Sequence, residues 1–201
     1  MINRSEEQKA FSRKIAMIQM LPLEEAMTFV TTPLYGLTEE VYGLQHCMNI
    51  WQSERCMKLE YYSPRYKQYE TVKGKTFTVE SHLYDEETKP KIRLGGLPNL
   101  SLGGAAVFGD TSEEERVAIL NDFSKRQDLR HHVFIARDVL ILIDGKSFRG
   151  CLTYFSAPFC YSAFTLYSGR VGVEGEALGP SIEELIQILE SLRVLNGKAV
   201  E

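Results

Sequence analysis

The chain has no run of apolar residues approaching the ~18 that a membrane-spanning helix needs, which excludes a helical span. Its opening residues, MINRSEEQKAFSRKIAMIQML, contain no signal core, because Lys14 interrupts their only apolar part. A cytoplasmic location is therefore expected. Cysteine is sparse, with only Cys47, Cys56, Cys151 and Cys160, and no CxxC motif occurs. Each neighbouring pair is nine residues apart, and in a reducing compartment these read as free, buried thiols rather than bridges. Charge of one sign is also lacking. Twenty-three basic and 27 acidic residues leave a net charge of -4 and a pI near 5.7. That balance argues against wholesale binding of a phosphate backbone and leaves room only for a local basic patch.

The familiar catalytic motifs are missing too. Gly74-Lys75-Thr76 looks like the end of a P-loop, but Tyr69 stands where its first glycine belongs, and KTFTVESHLY alternates like a strand. No G-x-G-x-x-G accompanies the glycine pairs 95–96 and 103–104, so these read as a structural loop. Ser101 in LSLGG lacks the preceding glycine of a nucleophile elbow. His131 and His132 are adjacent, so on a strand they point to opposite faces. A composite of His46, Cys56 and His82 on neighbouring strands is imaginable, but their spacing does not select it. Neither a metal site nor a cofactor is expected. Asp138 and Asp144 read as turn residues rather than as paired catalytic acids.

What is present is β-structure. In HHVFIARDVLILIDGKSFRGCLTYFSAPFCYSAFTLYS, residues 131–168, four segments rich in β-branched and aromatic residues alternate with turn signals. The signals are Ala136-Arg137-Asp138, Asp144-Gly145, Ser156-Ala157-Pro158 and Ser168-Gly169. Asp-Gly between hydrophobic runs is the strongest hairpin signal, since both central residues of a type I′ turn need φ > 0. A second meander spans residues 41–84, with Thr76, Thr78, Glu80 and His82 on one side of its last strand.

Helices frame these runs. Ser5 caps a segment in which Phe11, Ile15, Ile18 and Leu21 recur at helical spacing, and Leu23 to Val30 continues it up to Thr31-Thr32-Pro33. This helical segment, residues 1–33, is expected to cover a sheet. Residues 85–127 read as an ordered glycine-rich excursion followed by a helix from Thr111 to about Arg126. Gly172 to Gly179 reads as another glycine-rich loop. A C-terminal helix over 180–196 places Ile182, Leu185, Ile188, Leu189 and Leu192 on one face before Asn196-Gly197 stops it.

The expected fold is a single α+β domain: a large antiparallel meander sheet with the helices packed on it. The sheet is open or strongly curved, with a closed barrel as the alternative. The most distinctive polar stretch is residues 55–75, where six basic residues stand against Glu60 and Glu70. Arg55, Lys58, Arg65 and Lys67 interleave there with Tyr62, Tyr66 and Tyr69, a mixture suited to anchoring on a protein surface or stacking on bases. The leading expectation is a non-enzymatic module that binds a protein or small ligand through a sheet face or this ribbon. A small hydrolase or transferase, with its pocket between the sheet and the Gly95–Gly104 loop, is the first alternative. Single-stranded nucleic acid is a further alternative that the acidic balance disfavours. The basic ribbon and the acidic face of the last helix also leave self-association open.

Overall fold

The computed structural model of the chain describes residues 5–63, 74–85, 91–93, 105–107, 134–155 and 160–198. Its centre is a seven-stranded antiparallel sheet built from β2 (Gln45–Ser53), β3 (Cys56–Tyr62), β4 (Thr76–Leu83), β7 (Phe134–Ile143), β8 (Lys146–Phe155), β9 (Tyr161–Ser168) and β10 (Val171–Leu178). The strands lie in the order β2-β3-β4-β10-β9-β8-β7. Two meanders thus meet edge to edge, joined where β4 pairs with β10. The architecture is α+β as expected, but the sheet is neither closed nor strongly curled, which rules out the barrel. Two short ribbons accompany it: β1 (Tyr35–Leu37) with β11 (Leu192–Val194), and β5 (Lys91–Arg93) with β6 (Ala105–Val107).

Alternation decides which face of the sheet is buried. Met57, Leu59 and Tyr61 on β3, Phe77 and Val79 on β4, and Leu152, Phe164, Leu166, Val171 and Val173 on later strands all point to one side and are buried. Burying an aromatic or large aliphatic side chain of this kind contributes about 1.5–3 kcal/mol. Against that side pack α1 (Glu6–Gln19) and α3 (Ile182–Glu190). Both helices start with a capping box, Ser5 with Gln8 and Ser181 with Glu184, which satisfies backbone amides that a first turn leaves unpaired. Phe11 and Trp51 pack with ring centroids 5.7 Å apart, and Ile18 is buried, so α1 covers the sheet as expected. After Pro22, α2 (Leu23–Ala26) and a 3₁₀ turn over Met27–Phe29 carry the chain toward β1.

The turns follow the residues that allow them. Asp144 and Gly145 adopt φ of 49° and 76°, the left-handed pair that the type I′ hairpin demands. Ala136-Arg137-Asp138, expected to break the run, instead lies within β7 and pairs in unbroken register with Thr153, Leu152 and Cys151. A strong ladder partner on one side overrides the turn preference of a single aspartate. The Gly172–Gly179 segment is not a loop. It is β10, a central strand, and its glycines serve close packing. A Cβ at Gly175 would stand 2.0 Å from the Thr78 carbonyl oxygen, and one at Gly172 would stand 2.3 Å from the Tyr84 ring. The last helix ends at Glu190, and Leu192 continues the apolar series in β11 instead. Pairing with β1 supplies that segment with backbone partners that a further helical turn would otherwise have provided. The expected helix from Thr111 and the Ser156-Ala157-Pro158 turn lie outside the described residues.

Candidate functional site

The face of the sheet opposite the helices carries its polar chemistry. On β3 it presents Cys56, Lys58, Glu60 and Tyr62. On β4 it presents Thr76, Thr78, Glu80 and His82, the side assigned to them by alternation in the sequence. On β10 come Gly172, Glu174 and Glu176, and on β9 Tyr161, Ala163 and Thr165. Register aligns these into rows across the strands. Lys58 stands opposite Glu80, Glu80 opposite Glu174, and Glu174 opposite Thr165. A hollow of about 190 Å³ opens over this row, lined by Lys58, Glu80, Tyr161, Glu174 and Glu176 among others.

Two carboxylates directly opposite each other on neighbouring strands repel, at a cost of a fraction of a kcal/mol to about 1 kcal/mol. The surrounding side chains offset part of that cost. Burial alone would raise the Glu80 carboxyl, but hydrogen bonds and charge from His82, with further hydrogen bonds from Cys56 and Gln52, bring it below its ordinary range. His82 Nε2 stands 2.8 Å from Glu80 Oε1. Glu174 accepts a 2.5 Å hydrogen bond from the Tyr84 hydroxyl, and Glu176 accepts one of 2.6 Å from Tyr161. Burial and the adjoining carboxylates push both phenols well above the ordinary tyrosine range, so each remains a proton donor. Tyr84 lies over the bare backbone of Gly172 and stacks on His82, with centroids 5.8 Å apart and planes 18° from parallel.

Cys56 closes the cluster from β3. Its thiol donates to Glu80 Oε1 at 3.2 Å and approaches Gln52 Oε1 at 3.5 Å. Burial first, then the negative charges of Glu80 and Glu174, push the thiol up, so it remains protonated. In a thiol–histidine–acid site the imidazole stands between sulfur and carboxylate. Here the carboxylate occupies the middle place.

The expected binding residues divide between described and undescribed parts of the chain. Arg55 sits in the β2–β3 turn and pairs with Asp85 at 2.5 Å. Lys58 and Tyr62 converge on Glu60, at 3.0 Å and 2.9 Å. In the described part of the ribbon Arg55, Lys58 and Lys75 each pair with an acid, Asp85 and Glu184 lying outside it. Arg65, Tyr66, Lys67 and Tyr69 lie outside the described residues. So do His131, His132 and the Gly95–Gly104 loop that would have walled the alternative pocket.

Of the imagined trio, Cys56 and His82 do come together, as opposed residues of β3 and β4. His46 does not join them. It packs edge-on to Tyr61, at the far end of the β2–β3 hairpin. The cysteines are all free, but Cys47 is exposed where a buried thiol was expected, while Cys56 and Cys151 are buried.

No family model, curated protein or solved structure matches the chain. The site therefore has to be read from its own chemistry. Reading residues 172–179 as a loop hid Glu174 and Glu176, although their alternation with Val173 and Ala177 was the signal that could have found them. Among the described residues, no helix is long and apolar enough to cross a membrane.

Proposed function

We propose that this protein is a non-enzymatic binding module whose open sheet face takes a cationic group, an arginine or lysine side chain presented by a protein partner. The observation that carries this reading is the direct opposition of Glu80 and Glu174, with Glu176 beside them, around a hollow that contains a single lysine. A carboxylate pair on a half-buried surface, compensated only in part by His82 and Tyr84, favours the arrival of further positive charge. Tyr84 and Tyr161 fix two of the carboxylates in place, so little side-chain freedom is lost when a cation arrives. Their rings also supply aromatic surface of the kind that anchors interfaces.

The test is a titration with an arginine-rich peptide followed by amide chemical shifts, with an acidic peptide and a single-stranded oligonucleotide as comparisons. The expected result is shifts confined to β3, β4, β9 and β10, and affinity reduced about tenfold or more by Glu174→Gln combined with Glu176→Gln. Binding of the basic peptide that ignores this double substitution would overturn the reading. Tighter binding of the oligonucleotide, falling steeply with salt, would replace it with nucleic-acid recognition.

A further inference from the structure

At the side of the same face, Cys56, Glu80 and His82 offer a sulfur, an oxygen and a nitrogen to one point. We infer that these three side chains form a binding site for a divalent transition-metal ion of the zinc class. The three ligand atoms all lie within 4.8 Å of one another. Around a tetrahedral zinc, with bonds of about 2.0–2.3 Å, neighbouring ligand atoms stand roughly 3.3–3.8 Å apart. The Glu80–His82 contact of 2.8 Å therefore needs to open by about half an ångström to a full ångström, and the Cys56–Glu80 contact of 3.2 Å by about half an ångström or less. Small side-chain rotations achieve that without moving a strand.

The scaffold favours the site. Glu80 and His82 are two residues apart on β4 and so share a face, while Cys56 is the cross-strand neighbour of His82. All three ligands thus come from paired strands rather than from loops, at the end of the β3–β4 ladder beside the β2–β3 turn. Tyr84 stacked on His82 limits rotation of the imidazole. A thiolate–imidazole–carboxylate set suits Zn²⁺, whereas Mg²⁺ and Ca²⁺ prefer oxygen alone. The fourth position falls to the Gln52 carbonyl oxygen, 3.5 Å from the sulfur, or to water. On binding, the Cys56 S–H bond breaks, a sulfur–metal bond forms and the thiol proton leaves to solvent. The Nε2 proton that His82 donates to Glu80 leaves as well or moves to Nδ1, which frees that nitrogen for the ion. No electrons move.

This site shares Glu80 with the proposed cation-binding hollow, but it does not depend on that reading. The experiment uses the full chain with Co²⁺ as a spectroscopic stand-in and Zn²⁺ as competitor, without any peptide. The expected result is one ion per chain, with a sulfur-to-cobalt charge-transfer band and tetrahedral d–d bands that Zn²⁺ abolishes. Cys56→Ser should remove the charge-transfer band, and His82→Gln should weaken Zn²⁺ more than about a hundredfold. Removing a ligand costs more than the 10–100-fold lost when its hydrogen-bond partner is removed. Glu176→Gln, which impairs the peptide site alone, should leave metal binding unchanged. Absence of the charge-transfer band in the unaltered protein would overturn the proposal whatever the variants do. So would Zn²⁺ affinity that survives both substitutions.

Discussion

Glu184 shows how much one surface pair can carry. It belongs to the first turn of α3, accepts a 2.5 Å bond from Lys75 and completes the capping box with Ser181. Burial pulls its carboxyl upward, but Lys75 and the Ser181 amide outweigh that and hold it below the ordinary value. A carboxyl depressed in the folded state binds its proton more readily in the unfolded chain. Its stabilisation is thus complete above the unfolded value of about 4.3 and is lost as pH falls through the folded one. Melting temperature should therefore drop on acidification below about pH 5, and Glu184→Gln should flatten that drop while costing about 0.5–1 kcal/mol at neutral pH. Thermal melts across the acid range check both. At this scale the sequence was partly legible. The last helix with its apolar face and the shared side of Glu80 and His82 followed from local rules. That Lys75 would meet Glu184 did not, because the pair joins residues more than a hundred positions apart.

At the scale of single elements, the legible parts are those where one periodicity speaks clearly. The alternation over Thr76 to Leu83 and the Asp144-Gly145 turn were readable because no competing signal interrupts them. β10 was not, because glycine's usual meaning is a turn, and here it means close approach between backbones. Gly175 tests this directly. Alanine there would place its Cβ 2.0 Å from the Thr78 carbonyl oxygen and 2.7 Å from the Phe164 ring. Gly175→Ala should destabilise by about 1–3 kcal/mol or more, since backbone cannot swing aside as a flexible side chain can. Urea denaturation should show this as a lower midpoint. The mistaken extent of α3 has a related cause. Leu192 fits the helical stripe, and only its partner in β1 reveals the strand.

For the whole molecule, the pairing that no local rule anticipates is the clasp between β1 and β11. Asn196 secures it by accepting from the Leu34 amide at 3.1 Å and donating to the Thr32 carbonyl at 2.9 Å. Leu195 donates to the Leu34 carbonyl beside it. Asn196→Ala would remove the side-chain partner of the Leu34 amide, the Thr32 carbonyl and the Lys198 amide, and an expected cost of about 1–3 kcal/mol follows. Equilibrium unfolding with an unchanged denaturant slope would register that loss as stability alone. The class of fold was readable at this scale because the strand signals of two meanders outnumber the helical ones, whereas strand order was not, since sequence pattern carries no record of which edges meet.

The β4–β10 seam has a further consequence in time. Strands β2 to β4 and β7 to β10 each pair with their neighbours in sequence, yet the two sets are stitched together by residues roughly 90–100 positions apart. Closing so wide a span is entropically slow compared with zipping a hairpin. The two half-sheets should therefore assemble early and wait for one another. Because Glu80 and Glu174 face each other across that seam, both the acidic hollow and its repulsion come into being only at the final step of assembly.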